Sequence, residues 1–100
     1  MLVPLEYQVV MCLTAATPVE PLELEEALVI ALDSLREHAK DVALGFVGGV
    51  DFTTNSLELE FTVIAISPAV MYGRVSEVIQ VLQNQAGLTY AGSRETLAYA

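Results

Sequence analysis

The sequence predicts an α+β domain in which one antiparallel β-sheet carries two amphipathic helices on a single face. Segments in which apolar residues alternate with period two predict the strands, and segments with apolar residues every three or four positions predict the helices. Their order along the chain is strand, helix, strand, strand, helix, and 100 residues suffice for one such domain over 1–100.

The first strand is predicted over Leu5–Thr14. One of its faces is entirely apolar: Leu5, Tyr7, Val9, Met11 and Leu13. The other face is polar at its start and apolar in its middle: Glu6, Gln8, Val10, Cys12 and Thr14. A strand with apolar residues on both faces suits the interior of a sheet.

The first helix is predicted over Leu22–Lys40. Two starts fit the sequence, a capping box at Thr17–Glu20 or a start near Pro21 after a short turn. The apolar stripe of this helix consists of Leu24, Leu28, Ala31, Leu32, Leu35 and Ala39. Acidic residues gather at its beginning and basic residues at its end, which is the distribution that the helix dipole favours.

Two alternating runs around the turn Thr53–Ser56 predict a β-hairpin made of Val42–Phe52 and Leu57–Ile66. In the first run, the face predicted to meet the helices consists of Val42, Leu44, Phe46, Val50 and Phe52. The reverse face of the same run consists of Ala43, Gly45, Val47, Gly49 and Asp51. In the second run, the face predicted to meet the helices consists of Leu57, Leu59, Phe61, Val63 and Ala65.

A second helix is predicted to open at Ser67 and Pro68, with serine as the N-cap, and to end at Gly87 in a left-handed conformation. Residues 88–100 form either a fourth strand or a tail. This order of elements resembles the ferredoxin-like βαββα(β) sandwich, and ACT-like modules are similar at this level. The resemblance lies in element order alone and implies the strand order 4-1-3-2 if the fourth strand forms.

The composition disfavours nucleic-acid and membrane partners. Thirteen acidic residues stand against four basic ones, so the net charge is −9, and such a chain repels phosphate backbones and anionic lipids. No apolar run is long enough to span a bilayer. The first residues lack the basic start of a signal peptide, which predicts a cytoplasmic protein.

The reverse face of the predicted sheet, away from both helices, is the candidate functional surface. It is about half apolar, whereas a solvated sheet face is polar. The residues predicted to form an interface there are Val10, Cys12, Gly45, Val47, Gly49, Thr62, Ile64 and Ile66. Another copy of the same chain is the predicted partner, in a homodimer or a higher oligomer.

The candidate chemical groups predict no catalytic, metal or cofactor site. Cys12 is expected in the middle of the sheet and His38 at the end of the first helix, so nothing brings this nucleophile and this base together. The acids that start the first helix spread around it instead of converging on a cation. The glycines at positions 45–49 lie inside a strand and lack the lysine of a phosphate-binding loop.

These observations predict a non-enzymatic interaction or regulatory module that self-associates through the reverse face of its sheet and needs no cofactor. Two alternatives stay open. One is an ACT-like sensor domain that binds a small molecule at a dimer interface. The other is an enzyme of the dimeric α+β barrel type, with the reverse face as the wall of its cavity.

Overall fold

The computed structural model describes residues 3–15 and 21–98. Its elements are β1 (Leu5–Ala15), α1 (Pro21–His38), β2 (Leu44–Asp51), β3 (Ser56–Ala65), α2 (Pro68–Val81) and β4 (Leu88–Ala98). The predicted capping box at Thr17–Glu20 lies outside the described residues, and α1 begins at Pro21. No helix in the described part of the chain is long and apolar enough to cross a membrane.

The four strands form one sheet in the order β2-β3-β1-β4, and every neighbouring pair is antiparallel. This is the predicted ferredoxin-like order. The fourth strand, which the sequence left undecided, forms because β4 pairs with β1 over most of its length. It accommodates one additional residue, Ala91, between the pairs Leu13–Tyr90 and Cys12–Gly92.

Both helices pack on the same face of the sheet, as predicted. The alternating apolar residues of β1 and β3 are buried there together with the stripes of α1 and α2. The fully buried large side chains of this core are Phe61, Met11, Leu13, Leu24, Leu35, Leu57, Leu59, Met71, Leu82, Val9, Val63 and Val78. Burial of each such side chain contributes about 1.5–3 kcal/mol, so this core is the main source of stability.

The turn of the β2–β3 hairpin is held by its own polar groups. The carboxylate of Asp51 accepts hydrogen bonds from the backbone N–H groups of Thr53 at 2.9 Å and Thr54 at 3.3 Å. Asn55 takes a φ of 55°, a positive value that asparagine tolerates in turns. The turn thereby fixes the register of the two strands that follow from it.

The start of α2 is capped as the sequence predicts. The hydroxyl oxygen of Ser67 accepts a hydrogen bond from the backbone N–H of Val70 at 3.3 Å, and Pro68 occupies the first turn. After Val81 the helix widens into one π-helical turn, Leu82–Ala86. Gly87 then ends it with a φ of 65°, and Leu88 is buried in the core beside the last turn.

Replacing Ser67 by alanine is expected to lower the free energy of unfolding by about 1 kcal/mol, because the N–H of Val70 loses its capping acceptor. Urea denaturation followed by circular dichroism measures the loss. The matched control is Ser76→Ala, on the exposed part of α2, which is expected to stay within about 0.5 kcal/mol of the parent. Equal stability of the two variants would contradict a capping role for Ser67.

The predicted faces of β2 are wrong at its start. Leu44 pairs with Thr62 and Val47 pairs with Glu60, so three steps along β2 match two steps along β3. The additional residue forms a β-bulge at Gly45, whose φ of 70° suits glycine. Leu44, predicted to face the helices, therefore lies on the reverse face and is 53% exposed.

Three further residues differ from the prediction at the ends of strands. Ala43, predicted on the reverse face, precedes β2 and is buried in the core. Phe52, predicted to face the helices, lies in the hairpin turn and is 54% exposed. Leu5, at the first position of β1, is partly exposed because the core ends there.

Candidate functional site

The candidate site is the face of the sheet opposite to both helices, which we call the open face. Directly paired residues of neighbouring strands point to the same face, so the strand registers define its members. On β2 and β3 these are Leu44, Val47, Gly49, Asp51, Ser56, Glu58, Glu60, Thr62 and Ile64. On β1 and β4 they are Glu6, Gln8, Val10, Cys12, Thr14, Thr89, Gly92, Arg94 and Thr96.

The open face is organised in rows that run across all four strands. The central row is Val47, Glu60, Val10 and Arg94, from β2 through β3 and β1 to β4. One neighbouring row is Gly49, Glu58, Cys12 and Gly92. The other is Leu44, Thr62, Gln8 and Thr96, in which the hydroxyl of Thr62 donates to the side-chain oxygen of Gln8 at 3.2 Å.

Most of the residues predicted for the interface share this face. The structure brings together Val10, Cys12, Val47, Gly49, Thr62 and Ile64. Gly45 lies in the β-bulge and belongs to no row, and Ile66 lies beyond the end of β3.

The apolar part of the open face is accessible along β2 and at the end of β3. Val47 is 55% exposed and Ile64 is 41% exposed, while Val10 and Cys12 are half-buried between their neighbours. A concavity of about 570 Å³ follows the β2–β3 hairpin and is lined by Val47, Phe52 and nearby acidic residues. The open face is therefore partly apolar and partly acidic, with its exposed apolar side chains on β2 and at the end of β3.

Apart from Glu6 on β1, the charges of the open face lie on the strands to either side of β1. Glu58 and Glu60 stand on β3, and Arg94 stands on β4. In the central row, Glu60 and Arg94 flank Val10 directly. In this row, one sign of charge therefore lies to each side of Val10.

The structure places the other candidate groups apart. Cys12 is on the open face, whereas His38 lies in the last turn of α1, which packs on the other face. The nearest charged neighbour of His38 is Glu37, at 3.9 Å from its Nε2. Within residues 3–15 and 21–98, no group of three or more histidine, cysteine, aspartate or glutamate residues could hold a metal ion.

Sequence reasoning missed Leu44 and Arg94 as members of the open face. The signal for Leu44 was Gly45, because a glycine inside a strand often marks a bulge, and a bulge reverses the faces that precede it. Arg94 gave no clear signal, because the segment around it was not firmly predicted as a strand.

Comparison with known proteins identifies the fold and no family. No family model matches the chain, and no curated protein matches it. The designed ferredoxin-fold protein LFR1 1 has a TM-score of 0.53 at 15% identity, with coverage of 96% of this chain and 87% of that one. The C-terminal domain of MgtC from Mycobacterium tuberculosis has a TM-score of 0.51 at 12% identity, covering 95% and 88%.

A provisional antibiotic biosynthesis monooxygenase from Chloroflexus aurantiacus is similar at the same level. Its TM-score is 0.50 at 19% identity, and the similarity covers 95% of this chain and 94% of that chain. These structures are of different kinds, and one of them is a design. The fold is therefore ferredoxin-like α+β, and it is one that supports many unrelated functions.

Proposed function

We propose that this chain is a non-enzymatic interaction module of the cytoplasm that forms a homodimer by packing two open faces against each other. The observation that carries the proposal is the central row of the open face, in which Glu60 and Arg94 flank Val10. Three features of the open face support the proposal. Its apolar residues are exposed, its strands suit a two-fold axis, and that axis sets opposite charges against each other.

The apolar residues of the open face supply the driving force for covering it. Leu44, Val47 and Ile64 are all more than two-fifths exposed. Removing apolar surface from water contributes about 25 cal/mol per Å². Within the described residues, both helices lie on the other face, so this gain is open to a second molecule.

A two-fold axis that runs along β1 suits this sheet. Two copies of one surface pack with closed symmetry when each contact is repeated by the axis. An axis along β1 stacks Val10 of one protomer near Val10 of its partner and lays β3 of each protomer over β4 of the other. Face-to-face sheets pack about 10 Å apart with strands inclined by about 30°, which separates the Glu6 side chains at the sheet end.

The same axis matches opposite charges. Since β3 and β4 each lie about 4.8 Å from β1 on opposite sides, the axis sets Glu60 of each protomer opposite Arg94 of its partner. The pair forms twice in one dimer. Electrostatic complementarity of this kind selects the partner and fixes the register of the interface.

Exchange of these two charges tests the proposal. Each of the single variants Glu60→Arg and Arg94→Glu is expected to raise the dimer dissociation constant by about tenfold or more, because it sets like charges opposite each other twice. The double variant restores opposite charges and is expected to return to within about threefold of the parent constant. Sedimentation equilibrium measures the dissociation constants of the two single variants and the double variant.

The matched control is Glu77→Arg, which makes the same charge change on the exposed part of α2 and is expected to leave the constant unchanged. A parent chain that stays monomeric at the highest soluble concentration would refute the proposal. Single variants that dimerise as well as the parent would also refute it, because the two charges would then lie outside the interface.

The proposed absence of catalysis rests on the separation of the reactive groups. Nucleophilic catalysis by Cys12 needs a base within hydrogen-bond reach, and His38 lies beyond the opposite face of the sheet. Glu58 pairs directly with Cys12 on the open face, and no histidine or lysine lies on that face within the described residues.

A further inference from the structure

Two adjoining concavities lie where α1 ends and β2 begins, and together we call them the basic pocket. Their volumes are about 310 and 220 Å³, and Lys40 and Leu44 line both. Arg36 lines the first and Arg74 lines the second. Three of the chain's four basic residues thus line these two concavities, in a molecule whose net charge is −9.

These cations have no carboxylate partners within the described residues. No carboxylate oxygen there lies within 4.0 Å of a side-chain nitrogen of Arg36, Lys40 or Arg74. The Nε of Arg74 is buried and has no hydrogen-bond partner in the same part of the chain. A buried donor without an acceptor costs free energy, so an added oxygen acceptor at this end would be favourable.

The basic pocket differs in charge from other concavities of the described surface. The hairpin concavity is lined by Asp51, Glu58 and Glu60 and contains no lysine or arginine. Two others contain Glu77, or Glu25 with Glu26, and likewise no lysine or arginine. In the basic pocket the single acidic residue is Asp41. An anion that approaches this acidic protein is therefore directed to this end.

Apolar groups stand beside the cations. Leu44, which the bulge at Gly45 turns outward, and Ile64 both line the pocket and are both exposed. The guanidinium of Arg36 is held against β2 by a hydrogen bond from its Nη2 to the carbonyl oxygen of Phe46 at 3.3 Å. The pocket therefore combines fixed positive charge with a short apolar wall.

We propose that the basic pocket binds a small organic acid, with its carboxylate held by Lys40 and Arg74 and its short alkyl chain lying on Leu44 and Ile64, four residues that line the smaller concavity together. Each concavity is at or below the lower end of about 300 Å³ for ligand pockets, which limits the ligand to a few carbon atoms. Arginine binds carboxylates through paired N–H groups. Inorganic phosphate has no apolar part and gains nothing from Leu44 and Ile64, so the carboxylate fits better.

Thermal unfolding of the full chain with sodium hexanoate tests the proposal. At a concentration about ten times the dissociation constant, hexanoate is expected to raise Tm by about 5–10 °C. Hexylammonium and 1-hexanol, which keep the alkyl chain without the anion, are expected to give no increase. Inorganic phosphate at the same ionic strength is expected to give a smaller increase than hexanoate.

Two variants locate the effect. Arg74→Gln and Lys40→Gln are each expected to reduce the hexanoate shift by at least half. Glu77→Gln, which removes a charge from the exposed part of α2, is expected to retain the shift. Lys40 is exposed, so its variant carries the test if Arg74→Gln fails to fold. Leu44 and Ile64 also lie on the open face, so the shift is measured at a protein concentration at which sedimentation shows the parent chain to be monomeric. Under that condition the test succeeds or fails independently of the proposed dimer.

The proposal is overturned if hexanoate does not raise the Tm of the parent chain. It is also overturned if hexanoate raises the Tm of Arg74→Gln and of Lys40→Gln as much as that of the parent. An equal shift with 1-hexanol or hexylammonium overturns the role of the anion. A larger shift with phosphate than with hexanoate overturns the assignment to a carboxylate.

Discussion

Phe61→Ala is expected to lower the free energy of unfolding by about 3–5 kcal/mol. Phe61 is fully buried on β3, an interior strand of the sheet, and its ring centroid lies 5.4 Å from that of Phe46. Without the ring, the free energy gained by transferring it from water to the core is lost. A cavity also remains, because the surrounding side chains move only partly into the space. Small domains are stable by about 5–15 kcal/mol in total, so much of the fold's stability is at stake.

Guanidinium denaturation measures the loss, and Phe52→Ala supplies the matched control. Phe52 lies in the hairpin turn with half of its surface exposed, so the same substitution there is expected to change the free energy of unfolding by less than about 1 kcal/mol. Similar losses in the two variants would contradict the position of Phe61 at the centre of the core.

Gly48→Ala is expected to lower the free energy of unfolding by about 1–3 kcal/mol. A Cβ at position 48 would lie 2.6 Å from Cδ2 of Leu59, 2.9 Å from the carbonyl oxygen of Glu58 and 2.9 Å from Cδ1 of Leu28. The two methyl groups can move only by disturbing the contact between α1 and the sheet, and the carbonyl belongs to the strand ladder. Overpacking at this point is therefore relieved only by a shift of backbone.

The neighbouring glycine is the control for this substitution. A Cβ at Gly49 meets no atom within 4 Å, because position 49 points to the open face. Gly49→Ala is expected to leave the free energy of unfolding within about 1 kcal/mol of the parent, with a small gain from the stiffer unfolded chain. Urea denaturation of both variants at one low protein concentration measures the difference. Equal stabilities would contradict the close approach of α1 to β2.

The faces of β1 and β3 could be predicted from the sequence, because strict alternation along each strand fixes which residues face the core. One face of β1 is apolar at every position, whereas the other carries Glu6, Gln8 and Thr14, so a shift by one residue would expose the whole apolar set. The same reasoning located Val10, Cys12 and Thr62 on the reverse face. The two helices followed from their stripes, and the N-cap at Ser67 followed from the Ser-Pro pair.

The start of β2 could not be predicted by alternation, because one additional residue at Gly45 reverses the faces of everything before it. The alternation of residues along β2 alone does not reveal this insertion, because the bulge appears only in the pairing of β2 with β3. Leu44 was therefore predicted in the core, although it lies on the open face and in the basic pocket.

The last strand could not be decided from its own residues. Gly92 and Ser93 weaken the local preference for an extended strand. The strand forms because β1 offers it a long unpaired edge, which is a tertiary effect. Arg94 and the basic pocket share this origin, since both depend on segments that are distant in sequence and meet only in the folded chain.

Each border strand of the sheet carries one irregularity, at Gly45 in β2 and at Ala91 in β4. A border strand with a regular row of free N–H and C=O groups is a template on which foreign chains polymerise, and a kink interrupts that template. Sideways growth into fibres is thereby discouraged at both margins. Such a chain can expose apolar residues on one side of its sheet without offering its margins as templates for polymerisation.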